Sequence, residues 1–285
     1  MLPPEELIEQ AYFFRVLGER TRQHMPSQEV LSSIKEEILA TTNLPKALDF
    51  LSSELRLTGV FAPAMARLGH YFTPFQTFVI SEAEDERGRF DLNVGLEILR
   101  REAEYRAGET TPQGIFLYQF ESIARNRLNY DRGLLAVSQD PVFDENWRDW
   151  ILTVRRQVGL VDVGDLVYVR SDYYQAQRLR QGQSAEPEAP ILFGEKEGRI
   201  ALANRKRDPL LLFAAMHRQL GYPEVPRPKP EDRSSETPEL LLRRVERMEQ
   251  RLKLIEEEQK GGIKIDRFYG PPPADATIDF DDPAE

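Results

Sequence analysis

The sequence predicts a mainly α-helical protein. It reads as an irregular helical bundle or a set of stacked helical hairpins over residues 1–221, with one small β-hairpin near 191–203 and a separate C-terminal coiled-coil helix. Three observations carry that expectation. Apolar residues recur at steps of three and four, which gathers them on one face of a 3.6-residue helix. A capping residue is followed by proline at four places: Thr73-Pro74, Thr111-Pro112, Asp208-Pro209 and Thr237-Pro238. The capping oxygen accepts from an orphan backbone N–H, and proline fits the first helical position because its missing N–H would be unpaired there. The third observation is a single pair of short apolar runs around a glycine-bounded turn, the pattern of a hairpin.

In chain order, Leu7, Ala11, Phe14 and Leu17 form the first helical stripe, after Pro4 and two glutamates suited to a helix start. Val30, Ile34 and Ile38 form the second, with Ser27 as its N-cap, and Leu44, Leu48, Leu51 and Leu55 a third that stops at Gly59. Helices are expected over Phe75 to Arg87, Leu92 to Arg106 and Ile115 to Leu128, with breaks at Gly88 and Gly108. Thr73 has Gln76 three residues on, the spacing of a capping box. Trp147, Trp150, Ile151, Val154 and Val158 mark a further helix between Asp144 and Gly159. Val163 to Arg180 has strand-like β-branching at its start, yet Val163, Leu166, Arg170, Tyr173 and Gln177 keep a helical step, so one helix is expected. The expected hairpin pairs Ile191-Leu192-Phe193 with Arg199-Ile200-Ala201-Leu202 around Gly194 to Gly198. Leu210 to Leu220 is an apolar helix stopped by Gly221.

Residues 222–236 carry prolines at 223, 226, 228 and 230, the composition of a stiff, extended linker. Beyond it, residues 237–260 place Leu241, Val245, Met248, Leu252 and Ile255 at steps of four, three, four and three, the heptad alternation of a coiled coil. Val245 and Leu252 take a; Leu241, Met248 and Ile255 take d. In a parallel pair Arg244 meets Glu249 and Arg251 meets Glu256, both attractive, whereas an antiparallel pair sets Arg251 against Arg251. Charge therefore favours a parallel homodimer; Ile255 at d leaves a trimer open. Residues 261–285 form an acidic tail expected to be disordered. Its last fifteen residues carry five acids and no base, half of the chain's net charge of −10. Ile263, Ile265, Phe268 and Tyr269 are candidate docking residues that order on binding.

The stretch from Tyr130 to Ala136, through Asp140-Pro141 to Trp147, resembles the junction between two tetratricopeptide repeats, where Asp-Pro ends one unit and Trp opens the next. Arg155, Arg156 and Gln157 depart from the small residues that would follow. The resemblance implies stacked helix pairs over about twenty residues and no family assignment.

Composition removes several kinds of chemistry. With no cysteine there is no disulfide, thiol nucleophile or Cys-based metal site. No phosphate-binding glycine loop, H-E-x-x-H, Glu-x-x-His or G-x-S-x-G motif occurs. No catalytic residue, metal ligand or cofactor is therefore assigned. The acidic start lacks an apolar signal core, and the longest uncharged run, 14 residues between Arg67 and Glu82, is shorter than the ~20 of a spanning helix. A cytoplasmic protein with no membrane partner is expected, and the acidic balance disfavours nucleic acid as a partner.

The leading expectation is a non-enzymatic interaction or scaffolding protein that binds itself and a second, unidentified protein. One alternative is an enzyme of unrecognised type with a site near His70, in the aromatic stretch Tyr71-Phe72-Thr73-Pro74-Phe75. Separately, Glu82, Glu84, Asp85 and Glu86 could supply paired carboxylates, against the simpler reading of a solvated helix face. The other alternative is a nucleic-acid binder using Arg205, Lys206 and Arg207. With Arg155, Arg156, Tyr173, Tyr174, Arg178 and Arg180, these could form a basic stripe with aromatic interleaving, open to RNA, an acidic protein or the chain's own acidic tail.

Overall fold

The computed structural model describes residues 2–85, 88, 90–182, 189–227, 242, 243 and 245–252. Among them the protein is mainly helical and forms no strand. The elements are α1 (Pro4–Arg22), α2 (Ser27–Glu37), α3 (Leu44–Thr58), α4 (Ala62–Arg67), α5 (Pro74–Glu84), α6 (Leu92–Ala107) and α7 (Pro112–Arg125). They continue with α8 (Tyr130–Ser138), α9 (Glu145–Gln157), α10 (Val163–Tyr168), α11 (Asp172–Arg180), α12 (Glu195–Ala203) and α13 (Pro209–Leu220). Residues 242, 243 and 245–252 are helical as well.

Helix starts follow the local chemistry. Thr73 forms the full capping box, its hydroxyl accepting from the Gln76 amide while the Gln76 carboxamide accepts from the Thr73 amide. Thr111 and Asp208 cap α7 and α13, and Asp144 caps α9. Ser27 is instead the first residue of α2, and the N-cap position is Pro26. Gly59 and Gly221 end α3 and α13 in the left-handed conformation, φ 73° and 68°. Such a turn costs glycine little because it has no Cβ.

Many sequential helices pack in pairs, and several contacts join helices distant in the chain. The most extensive contact joins α1 to α6, with Gly18 beside Leu96. Helices α2–α3, α4–α5, α7–α8 and α8–α9 pack as sequential pairs, while α5 also meets α6 and α8, and α13 meets α7. One continuous apolar core runs from Phe13 to Val225. Near its middle the Trp147 and Trp150 rings meet edge to face at 5.5 Å, and Phe193 packs against both at 5.3 and 5.2 Å.

That position of Phe193 corrects the expected β-hairpin. Residues 191–193 are not a strand paired with 199–202. The Leu192 and Phe193 amides donate to the Arg170 carbonyl, and the Asp172 amide donates to the Phe193 carbonyl, making one isolated bridge. The second expected strand is part of α12. Glu195 and Glu197 lie in its first turn, where the helix dipole favours acids, and Glu195 pairs with Arg199 one turn on at 2.5 Å. Its buried residues are Glu197, Gly198 and Ala201, a helical and not an alternating pattern. The glycines that resembled a turn have other duties: Gly194 holds the N-cap position, and Gly198 gives α12 room beside the start of α11.

A Cβ at Gly198 would overlap the Ser171 hydroxyl and lie 2.6 Å from Ser171 Cβ and 2.7 Å from Tyr173 Cβ. Gly198→Ala is therefore expected to destabilise the body by about 1–3 kcal/mol through overpacking. A lowered urea midpoint would report this; an unchanged midpoint would mean that α11 is not held so closely.

Two further expectations are corrected. Val163 to Arg180 is not one helix: Ser171 bonds back to Tyr168 and caps α11, so the chain turns between α10 and α11. The expected linker does not begin at 222. Tyr222 and Val225 are buried in the core. The Tyr222 hydroxyl donates within a cluster formed with Glu121, at 2.8 Å, and the Phe213 carbonyl, at 3.0 Å. Arg125 pairs with the same Glu121. Asn126 donates to the Pro226 carbonyl and Arg101 to the Glu224 carbonyl. The prolines at 223 and 226 thus belong to a strap on the body.

A second polar cluster crosses the core at the end of α6. Arg106 lies between Glu102 and Asp140, bonding Glu102 Oε1 at 2.9 Å through Nη2 and pairing with Asp140. Gln119 donates to Glu102 at 2.7 Å and to Asp140 at 3.0 Å. Burial raises the Glu102 pKa, Arg106 opposes that, and the Asp140 charge adds to it. Glu102 Oε2 is buried without a hydrogen-bond partner. Asp140, read from sequence as a repeat junction, therefore also anchors α8 to α6 and α7.

Candidate interaction surfaces

The helical segment 242–252 lies against the body with its two faces reversed from what apolar burial alone would suggest. Arg243, Glu246, Arg247 and Gln250, spaced by three and four, line a small cavity of about 50 Å³ shared with Leu55, Gly59 and Glu84. Arg247 Nη2 donates to the Glu84 carbonyl at 3.3 Å. The Arg247 side chain crosses Gly59, where a Cβ would sit 3.0 Å from its Cγ. The Glu84 carboxylate accepts from the Phe61 and Ala62 amides at 2.6 and 2.9 Å, at the start of α4. Burial raises the Glu84 pKa, while those amides and the Arg247 and Arg243 charges hold it down. Glu246 is raised by burial, opposed by Arg243 and reinforced by Glu249.

The predicted seam faces the other way. Val245, Met248 and Leu252 are 42%, 52% and 58% exposed. Glu249 and Arg251 are exposed too. Leu241, Arg244, Ile255 and Glu256 lie outside the described residues, as do Ile263, Ile265, Phe268 and Tyr269. The spacer was expected to keep this helix away from the body; instead a polar face of the helix rests on it. Nothing local in the sequence pointed to Gly59 and Glu84 as the surface beneath.

A second surface is formed by α10, α11 and α12. Tyr168 meets Tyr174 edge to face at 5.1 Å and Tyr173 at 6.4 Å. Guanidinium groups stand over all three rings: Arg205 over Tyr168 at 5.5 Å, Arg199 over Tyr173 at 5.4 Å and Arg178 over Tyr174 at 5.9 Å. Arg205 also pairs with Asp165. The Lys206 amide donates to Asp162 at 2.5 Å, with Lys206 at φ 58° and its side chain exposed. Arg207 is exposed beside it. The structure thus brings Tyr173 and Tyr174, each under a guanidinium, around Tyr168, on which Arg205 stacks. It adds Tyr168 and Arg199, which the sequence offered no reason to single out because they come from separate helices. Arg155 is drawn off instead to Asp131 on α8, at 2.7 Å.

His70 gains no site. It is exposed in the turn before α5, while Phe72 turns inward against Phe13 and Phe14 and Tyr71 is buried beside Phe72. The aromatic residues around it are core, so they build no pocket for an imidazole. Glu82 accepts from the Asn129 amide and pairs with Arg132, and Glu84 caps α4; Glu86 lies outside the described residues. Among the described residues no group of three or more His, Asp or Glu side chains is placed to hold a metal ion, and no helix is long and apolar enough to cross a membrane.

The fold and these surfaces define an all-helical protein with an outward apolar seam and an arginine–tyrosine face. No protein-family model, curated protein or solved structure matches the chain.

Proposed function

We propose that this is a non-enzymatic interaction or scaffolding protein that self-associates through a short C-terminal coiled coil. Leu241, Val245, Met248, Leu252 and Ile255 form its seam, with Arg244–Glu249 and Arg251–Glu256 pairs across a parallel homodimer. The helical body is then displayed in two copies to a protein partner. A cytoplasmic setting fits the absence of cysteine.

The observation that carries this reading is the outward exposure of Val245, Met248 and Leu252 while Arg243, Glu246, Arg247 and Gln250 occupy the body side. Apolar side chains at a and d positions gain stability when a second helix covers them. Three heptads are short for an isolated coiled coil, and contact with the body offsets part of the ordering cost of the helix.

Light scattering on the intact chain is expected to report a dimer at tens of micromolar, and Val245→Glu with Leu252→Glu a monomer. Arg244→Glu with Arg251→Glu should weaken the dimer, and adding Glu249→Arg with Glu256→Arg should restore it. A monomeric intact chain at that concentration would overturn the proposal; failure of the charge exchange to rescue would overturn the parallel register.

A further inference from the structure

We propose that the acidic end of this chain, residues 271–285, docks on the tyrosine–arginine face of α10, α11 and α12. Among the described residues this face is only partly covered. Helix α11 has no fully buried residue, although it carries Tyr173, Tyr174, Ala176 and Leu179; it packs mainly on α12, and Tyr173 and Tyr174 also lean on Tyr168. Leu179 and nearby Val169 are exposed. A helix with that much apolar surface gains from an added partner.

Charge selects the partner. The acids on the face are largely committed: Asp165 to Arg205, Glu195 to Arg199, and Asp162 to the Gly164 and Lys206 amides. The exposed Arg180, Lys206 and Arg207 side chains have no acidic partner among the described residues. Residues 271–285 are the complement. They carry Asp275, Asp279, Asp281, Asp282 and Glu285 with no base, and Ile278 and Phe280 alternate with Asp279 and Asp281. Carboxylates would meet Arg180, Lys206 and Arg207, and Ile278 and Phe280 would cover the apolar surface of α11.

The segment can reach. Twenty-two residues separate Leu252 from Asp275. Extended, they span up to ~70 Å, against a diameter of about 45 Å for a body of this size. Docking therefore needs no particular placement of the C-terminal helix and does not depend on self-association.

The test uses the full chain with Asp275, Asp279, Asp281 and Asp282 all changed to Asn, made on the Val245→Glu, Leu252→Glu background so that assembly plays no part. Amide exchange over residues 172–180 is expected to be several-fold faster than in the same background with its acids intact, and 1 M salt (Debye length ~3 Å) should abolish the difference. A labelled peptide of residues 271–285 should bind the four-Asn protein saturably. Arg180→Glu, Lys206→Glu and Arg207→Glu together should weaken that binding by about ten-fold or more. Unchanged exchange, or peptide binding indifferent to those three substitutions, would overturn the proposal. A single-stranded RNA oligonucleotide supplies the competing outcome. If it binds the four-Asn protein about ten-fold more tightly than the acid-bearing one, the tail occupies the face. Equal binding to both means that it does not.

Discussion

Arg106→Met is expected to destabilise the helical body by about 3–5 kcal/mol, the usual cost of leaving a buried charge without its counter-ion. Arg106 is the cation between Glu102 and Asp140, and both carboxylates are fully buried. Glu102→Gln should be far milder. Burial already raises the Glu102 pKa, Asp140 adds to this, and Oε2 has no donor to lose. A carboxamide keeps the acceptor that Arg106 and Gln119 use. The two variants also separate in their pH dependence. A carboxyl whose pKa is raised by folding binds its proton more tightly in the native state. Its contribution is fully present below the ordinary carboxylate pKa and is lost as pH rises through the folded value. Urea unfolding between about pH 4 and pH 8 should therefore show a fall in stability with rising pH from this group, and Glu102→Gln should flatten that part of the profile. Equal losses in Arg106→Met and Glu102→Gln, or an unchanged profile in the latter, would mean that folding does not raise the Glu102 pKa.

Ending the chain at Gly221 is expected to cost about 3–5 kcal/mol relative to ending it at Arg227, on the scale of deleting a large buried aromatic. The six residues between include buried Tyr222 and Val225. Their loss leaves a cavity beside Tyr118, whose ring meets Tyr222 edge to face at 6.4 Å, and beside His217 at 5.3 Å. It also deprives Glu121 Oε2 and the Phe213 carbonyl of a donor inside the core. Tyr222→Phe isolates the hydroxyl and should cost about 1–3 kcal/mol, the penalty for unsatisfied buried acceptors. Thermal unfolding of the two truncations side by side reads the result. Equal melting temperatures would return the strap to the spacer.

The helices were legible where the sequence is redundant. Leu44, Leu48, Leu51 and Leu55 name one face of α3, Gly59 names its end, and Thr73 with Gln76 names a start; these signals act within a turn or two. The 195–203 region was misread because two short apolar runs around glycines satisfy both periods. Glu195 and Arg199 at helical spacing were the overlooked sign. Tyr222 was misread for another reason. Proline density describes local stiffness, and a stiff strap can still fill a distant gap between α7 and α13. Of the candidate surfaces, the seam stands in the sequence as a heptad pattern; Tyr168, Arg199, Gly59 and Glu84 do not stand out there, since each meets a residue far away in sequence.

From composition and spacing alone came the helical class, most helix boundaries and the repeating apolar seam, because caps, dipoles and periodicity depend on neighbours a few residues apart. Folding in three dimensions settled the rest: that residues 191–203 give an extended stretch and a helix, that 222–227 join the core, and that a polar face of segment 242–252 meets the body while its apolar face looks outward. Those outcomes follow from which distant surfaces each segment can bury and which charges it can satisfy. That competition is played out across the whole molecule, where no local window reaches.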